Sequence, residues 1–255
     1  MRIKLEKRQV NGGRVTPLDK AGYRMSLPEL PAGQYGLSQV DDYAHLPRWR
    51  FPHQPPLRLR LEARVSANVL PGTWGFGLWN DPFSFGFGGG GMARLLPVLP
   101  NAAWFFYGSQ HNHLTLDDDQ PGAGFHAKVF RSPRLPSIFS LFAVPGLPFL
   151  FWPMTARLLR RCAARLTEET TTLLPEFAET WQPYELLWKR NQVVFSINHE
   201  VVLETNISPQ GRLGLVIWID NQYFRFDPEG KLGFGFLSVS TEQWLEIRGL
   251  IVSPD

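Results

Sequence analysis

Apolar and polar side chains alternate with a period of two along much of the chain, and this pattern predicts short β-strands. In YELLWKRNQVVFSINHEVVLET, residues 184–205, two such runs precede Asn198-His199, and this pair predicts a two-residue hairpin turn before a third strand. Strands this regular favour an all-β sandwich over folds in which strands and helices alternate. The same alternation marks residues 57–66, 211–221 and 243–252.

One segment departs from the β pattern, an insertion at 137–174 whose second part has helical spacing. We expect this helix to pack its apolar face, Cys162 included, against the sandwich and to expose its arginines, with an Arg165–Glu169 pair supporting it. The alternative is that the basic helix and the aromatic residues before it, together 137–166, lie on a membrane surface. The apolar face consists of Met154, Leu158, Leu159, Cys162, Ala163 and Leu166. The opposite face carries Arg157, Arg160, Arg161 and Arg165.

The domain organisation follows from length and from the absence of a polar linker. A chain of 255 residues suits one large β-sandwich, which we place at 34–255. Residues 1–33 are basic and then rich in turn residues, and we interpret them as an N-terminal arm with one edge strand at most.

Composition and charge narrow the classes of function. Hydrophobic residues make up 44% of the chain, enough for a large core. The formal charge is +3 and the arginines are scattered, so no nucleic-acid partner is expected. A single cysteine, and no apolar leader in MRIKLEKRQV, predict a cytoplasmic protein by default, with export left open. Prolines interrupt the longest apolar stretch, so no membrane-spanning helix is expected.

A glycine-rich stretch at 83–100 fits the spacing of a dinucleotide-binding loop, since Gly86, Gly88 and Gly91 satisfy G-x-G-x-x-G. Such a loop requires a preceding strand and a following helix inside a βαβ unit, and no repeated strand and helix alternation follows here. We therefore interpret the stretch as a loop or lid, and we expect no cofactor.

Four stretches resemble the concanavalin A-like lectin and glucanase superfamily, in particular laminarinase-type glucanases of glycoside hydrolase family 16 and laminin-G-like domains. LEARVSANVLPGTWGFGLW resembles that family's strand, polar turn and Gly-Thr-Trp entry to a second strand. YELLWKRNQVVFSINHEVV is similar to its Tyr-x-x-x-Trp strand and hairpin, with Asn198-His199 in place of the usual Asp-Gly. GRLGLVIWIDN and WLEIRGLIV resemble a concave-face strand and the closing strand. The resemblance covers about residues 60–252 and implies an all-β, two-sheet jelly-roll sandwich. The helical spacing within 137–174 adds one inserted amphipathic helix to this fold.

The chain departs from those glucanases at the catalytic strand. They carry Glu-x-Asp-x-x-Glu on the strand after the Gly-Thr-Trp strand, because retaining hydrolysis needs two carboxyl groups about 5 Å apart on one face. Here that strand reads NAAWFFYGS, residues 101–109, and the motif occurs nowhere in the chain. A glucanase of this mechanism is therefore not expected, and whether the protein is another carbohydrate-active enzyme stays open.

A ligand surface is the main functional expectation. In the family that the chain resembles, aromatic residues of the concave sheet stack on sugar rings, while amides and carboxylates bind hydroxyl groups. Gly75 and Gly77 leave room for a ligand near the backbone. We predict non-hydrolytic binding of a carbohydrate or a glycoconjugate, with the reservation that alternation does not tell which tryptophans face the core. The predicted binding residues are Trp79, Asn80, Asp81, Trp104, Tyr107, Gln110, Trp218, Asp220 and Asn221.

Two other chemistries stay open. Gln110-His111 and Tyr223 resemble the Gln, His and Tyr with which jelly-roll polysaccharide lyases remove a proton next to a uronate carboxylate, with Arg60 or Arg64 as a further partner. His111, His113 and Asp117 could instead hold a metal ion, Ca²⁺ among the candidates, although a solvated polar loop is the preferred interpretation.

Overall fold

The computed structural model describes residues 4–19, 22–82, 98–134, 153–175 and 178–255. The expectations for Gly86, Gly88 and Gly91 and for the aromatic stretch 137–152 fall outside these residues. The described chain forms two sheets of seven antiparallel strands, a separate two-stranded hairpin and one α-helix. The predicted two-sheet jelly-roll sandwich with one inserted helix is confirmed.

The strands of the two sheets interleave along the chain. The front sheet contains, in spatial order, β1 (Glu6–Val10), β4 (Leu37–Asp41), β13 (Gly214–Asp220), β6 (Thr73–Trp79), β7 (Ala102–Gly108), β8 (Gly124–Arg131) and β9 (Glu168–Leu174). The back sheet contains β12 (Glu200–Thr205), β11 (Gln192–Ile197), β10 (Gln182–Lys189), β5 (Leu57–Val65), β16 (Gln243–Ser253), β3 (Gly22–Leu27) and β2 (Arg14–Leu18). The separate hairpin pairs β14 (Gln222–Phe226) with β15 (Leu232–Phe236).

The main core lies between the two sheets. In β5 every second residue from Leu57 to Val65 is buried, as the alternation predicts. Facing it from the front sheet are Phe76 and Phe105, both almost fully buried. Trp188 of β10 completes this layer with no exposed surface. Burial of these large side chains supplies the main favourable term for folding.

The predicted hairpin turn is confirmed. Asn198 and His199 have φ values of 52° and 67°, the left-handed conformation that both central residues of a type I′ turn adopt. The turn joins β11 to β12.

The N-terminal residues do not form a separate arm. β1 is the edge strand of the front sheet, while β2 and β3 extend the back sheet. Val15, Met25 and Leu27 lie in the main core, so this segment is part of the sandwich. The short strands are separated by turn residues, and for this reason the sequence pattern suggested one strand at most.

Helix α1 (Pro153–Leu166) lies within the predicted insertion, but the face that contacts the sandwich is not the predicted apolar one. Arg160 and Ala156 are buried, whereas Met154, Leu158, Leu159 and Leu166 are exposed. Cys162 is also exposed and is not a core residue. The predicted ion pair between Arg165 and Glu169 is replaced by another pair. Glu169 pairs with Lys128.

The reason for this orientation is the guanidinium of Arg160. Its Nη1 donates to the carbonyl oxygens of Thr115 and Phe226 at 2.6 and 2.9 Å, and its Nη2 pairs with Asp118. These acceptors belong to other segments, and only the folded chain brings them together. Among the described residues, no helix is both long and apolar enough to cross a bilayer.

Candidate functional site

A cluster of aromatic side chains covers the outer face of the front sheet. Register pairs Trp104 with Gly77 and Trp218 with Gly75, and alternation turns these tryptophans away from the main core. The ring centroids of Trp79, Trp104 and Trp218 lie 5.6 to 6.3 Å apart. Phe106 adds a fourth ring, 5.5 Å from Trp104. We call these four residues the aromatic cluster.

The glycines beneath this cluster do not leave an open space for a ligand. A Cβ at Gly75 would come within 2.9 Å of the ring of Trp218. A Cβ at Gly77 would meet Trp104 at 2.5 Å. The expectation of room above these glycines is therefore corrected, because the tryptophans of the adjacent strands already occupy it.

The three indole nitrogens of the cluster differ in their partners. Trp218 Nε1 donates to Thr73 Oγ1 at 2.9 Å, and Trp79 Nε1 donates to the hydroxyl of Tyr43 at 2.6 Å. Trp104 is only 9% exposed, yet within the described residues its Nε1 has no acceptor at hydrogen-bond distance. A buried donor without a partner is uncommon and costs about 1–3 kcal/mol. Among the described residues, Trp104 therefore carries a buried donor without an acceptor, as does Trp74 in the main core.

The polar residues predicted at the strand ends have partners inside the protein. Asp220 accepts bonds from Thr73 Oγ1 and N at 2.8 and 3.2 Å, and burial raises its pKa to about 7. Asn221 accepts from Gly36 N and donates to the carbonyl of Leu237. Both side chains connect neighbouring loops, so they are positioned as structural groups.

Asn80 and Asp81 lie next to the cluster at the end of β6. The side chain of Asn80 donates to the carbonyl of Leu99 and accepts from Asn101 N. The carbonyl of Asp81 accepts from the guanidinium of Arg48 at 2.7 Å. These contacts hold the chain at the border of the aromatic cluster.

Tyr107 is not on the outer face. It lies in the main core, and its hydroxyl exchanges hydrogen bonds with the backbone of Leu70 at 3.1 and 3.2 Å. The physical reason is the period of two: Trp104 and Tyr107 are three positions apart, so one β-strand directs them to opposite faces. The prediction that Tyr107 belongs to the ligand surface is therefore wrong.

A buried ion pair lies on the outer face beside the cluster, and the sequence patterns did not predict it. Lys128 Nζ lies 2.6 Å from Glu169 Oε1, and both side chains are 4% exposed. Glu169 also accepts from Thr115 Oγ1 and Leu116 N. Burial lowers the pKa of Lys128, although the carboxylate opposes this shift. The only sequence signal was a charge among the apolar residues of β8.

His126 lies on the same strand and the same face as Lys128. Its Nε2 is 3.0 Å from the carbonyl of Ala123. Burial, and then the charge of Lys128, lower the pKa of His126 to about 4. The imidazole is therefore neutral at physiological pH.

The structure does bring His111 and Tyr223 together, with ring centroids 6.0 Å apart. His111 is exposed at the loop after β7 and follows the exposed Gln110, while Tyr223 belongs to β14. Arg60 and Arg64 lie on β5 of the back sheet, where they pair with Glu185 and Glu246. Neither arginine is therefore a partner of this pair.

The three residues considered for a metal ion do not form a common site. Within the part of the chain that the structure describes, no three side chains of His, Cys, Asp or Glu are grouped to hold a metal ion. Asp117 Oδ1 accepts from Asp119 N at 3.0 Å. Burial, and then the charge of Arg160, lower the pKa of His113.

No protein-family model and no curated sequence matches the chain. Among solved structures it is similar to a β-glucanase of Bacillus licheniformis, with 9% identity, a TM-score of 0.49, and coverage of 98% of this chain and 92% of that one. A glycoside hydrolase family protein from Mycobacterium thermorestibile has 11% identity, a TM-score of 0.48, and coverage of 98% and 93%.

A sialidase is also similar, with 6% identity and a TM-score of 0.44 over 98% of this chain. The chain spans 17% of the length of that sialidase. Likeness at these identities and TM-scores does not indicate a function for this chain.

Proposed function

We propose that the outer face of the front sheet binds a carbohydrate, or the glycan part of a glycoconjugate, without hydrolysing it. The observation that carries the proposal is the buried, unpaired Nε1 of Trp104 inside the aromatic cluster. A sugar combines C–H faces that pack on indole rings with hydroxyl oxygens that accept from an N–H group.

The geometry of the cluster fits a flat, hydroxylated ligand. Trp79 and Trp218 are nearly parallel, with an interplanar angle of 8°, and Trp79 is the half-buried member of the pair. A ligand ring that stacks on Trp79 would approach Trp104, whose centroid is 5.6 Å from that of Trp79. The unpaired donor would then orient the ligand.

Binding without hydrolysis is supported by the composition of β7. Its outward residues are Ala102, Trp104 and Phe106, and none of them carries a carboxyl group. The buried carboxylates of Glu169 and Asp220 lie on strands of this sheet, and both have contacts within the protein. Glu169 accepts hydrogen bonds with both oxygens, and Asp220 accepts from Thr73. A retaining mechanism would need two carboxyl groups about 5 Å apart with one free to attack.

The test is binding to an array of neutral and uronate-containing oligosaccharides, followed by titration calorimetry with each bound probe. Trp104→Phe keeps a ring but removes the donor, and should weaken binding roughly tenfold. Trp218→Ala should abolish binding by removing part of the platform. Trp74→Phe is the matched control, because Trp74 Nε1 is also buried and unpaired but lies in the main core.

Unchanged affinity in Trp104→Phe would contradict the proposal. So would an equal loss in Trp74→Phe, because that loss would reflect general damage to the sheet. Near-ultraviolet circular dichroism of each variant identifies misfolded protein before the affinities are compared.

A second candidate, an enzyme that removes a proton from a polyuronate, is favoured by the proximity of His111 and Tyr223. An imidazole base and a phenol acid suit this elimination, which yields an unsaturated product. We would measure new ultraviolet absorbance from a polyuronate, and expect its loss in His111→Gln and in Tyr223→Phe. No turnover by the wild-type protein would exclude this candidate without affecting the binding proposal.

A further inference from the structure

Helix α1 is fixed to the sandwich by its polar side. Arg160 is 3% exposed and donates to the carbonyl oxygens of Thr115 and Phe226. Ala156, one turn earlier, is fully buried. Thr167, directly after the helix, is also buried, and its hydroxyl lies 2.9 Å from that of Ser132. The face that contacts the protein is therefore narrow and mainly polar.

As a consequence, the apolar side of the helix faces outward. Met154 is 79% exposed, Leu158 is 60% exposed and Leu166 is 47% exposed. With Leu159 and Cys162 they span about 140° of the helix circumference, at about 100° per residue. An apolar stripe of this width normally lies against another apolar surface. We call these five residues the outward stripe.

Positive charge lies along one edge of the outward stripe and also within it. Arg157 and Arg161 lie just outside the stripe, whereas Arg165 lies between Met154 and Leu158 when the helix is viewed along its axis. Arg157, Arg161 and Arg165 are exposed, and the helix contains no acidic residue. Glu168, which follows the helix, pairs with Arg131 of β8. A partner for this surface must therefore offer both apolar depth and negative charge.

We propose that α1 binds the surface of a membrane that contains anionic lipids, with the outward stripe in the acyl boundary, Arg157 and Arg161 at the headgroups, and the long side chain of Arg165 extended toward them. Interfacial helices of this composition insert their apolar face to a depth of roughly 5–10 Å, while basic side chains attract anionic lipid. The proposal is independent of glycan binding, because the outward stripe contains no residue of the aromatic cluster.

A second copy of the chain fits this surface less well than a bilayer. A two-fold contact through the outward stripe would place the arginines of one copy near those of the other. Like charges at such a contact are repulsive and would oppose the apolar gain. A bilayer instead supplies opposite charge at the level of the arginines.

The experiment is flotation of the full chain with vesicles of phosphatidylcholine, alone or mixed with phosphatidylserine. The wild-type protein should float with the mixed vesicles at low salt, and binding should weaken as salt rises. Arg157→Gln combined with Arg161→Gln should weaken binding roughly 30-fold, since each arginine contributes roughly fivefold near an anionic surface. Leu158→Ser should weaken it roughly tenfold.

Val69→Ser is the matched control. Val69 is an apolar residue that is 75% exposed in the loop between β5 and β6, so its substitution should leave flotation unchanged. The altered residues are all exposed, and the thermal midpoint should be that of the wild type.

Three outcomes would overturn the proposal. The first is no binding to mixed vesicles at low salt. The second is equal binding by wild type, the double arginine variant and Leu158→Ser, which would assign binding to another surface. The third is a dimer that Leu158→Ser dissociates, seen by light scattering without vesicle association. None of these outcomes alters the oligosaccharide titrations with Trp104→Phe.

Discussion

The buried pair of Lys128 and Glu169 supports a quantitative prediction about stability. The two side chains are each 4% exposed, and their charged atoms lie 2.6 Å apart. Lys128→Met leaves the carboxylate of Glu169 buried without its cation. Breaking a buried pair in this way costs about 3–5 kcal/mol of unfolding free energy. Glu169 keeps its bonds from Thr115 and Leu116, so we expect a value near the lower end.

The same two strands provide the matched control. Arg131 and Glu168 pair directly across β8 and β9, with Nε and Oε1 3.0 Å apart, but their side chains are 32% and 54% exposed. Solvent screens this pair, so Arg131→Met should cost about 1 kcal/mol or less. The assay is equilibrium unfolding in urea, with the slope checked for two-state behaviour.

A double variant tests the physical reason for the loss. Lys128→Met with Glu169→Gln removes the unpaired charge, while the amide oxygen can still accept from Leu116 N. It should therefore be more stable than Lys128→Met alone. The reasoning is refuted if the double variant is as unstable as the single one. It is also refuted if Arg131→Met costs as much as Lys128→Met.

Three further predictions concern other parts of the sandwich. Burial raises the pKa of Asp220 from 3.8 to about 7, so the folded carboxyl keeps a proton that the unfolded one loses, and unfolding free energy falls as pH rises through this interval. Asp220→Asn should remove this fall, seen as a stability gain that grows from pH 4 to 7 in urea titrations; a constant difference would contradict it. His199→Gly should stabilise the protein by about 1 kcal/mol, because His199 has a φ of 67°; a lower thermal midpoint would contradict this. Arg160→Met leaves the carbonyls of Thr115 and Phe226 unpaired at about 1–3 kcal/mol each, and should speed amide exchange in α1; equal exchange in the exposed control Arg161→Met would contradict it.

The strands with clear alternation and the hairpin turn could be predicted because both depend on neighbouring residues. Alternation in β5 and β10 identified which side chains are buried, and Asn198-His199 marked the turn between β11 and β12. Helical spacing similarly identified the start of α1, but the end of the insertion placed at 137–174 was wrong, because Glu168–Leu174 forms β9 of the front sheet. In each case the deciding interactions lie within a few residues along the chain.

The candidate site was predicted less completely. β7 reads AAWFFYG and is buried on both faces, so alternation separated its residues into two sets without telling which set faces the core. The structure places Trp104 outside and Tyr107 inside, as it places Trp218 outside and Trp74 inside. Lys128 and Glu169 were missed because no pattern in sequence links a charge in β8 to one in β9.

The sequence by itself determined the all-β class, the strands with clear alternation, the turn and the presence of the helix, because backbone preference and side-chain periodicity are local properties. It did not determine the strands at the N-terminus or β9. Only the tertiary structure decided which face of the front sheet carries the aromatic cluster and which face of α1 points outward. The amphipathic pattern of α1 was clear, but the backbone acceptors of Arg160 come from a loop and from a strand far along the chain. A buried arginine is stable only when such acceptors surround it, and their meeting is a property of the folded chain.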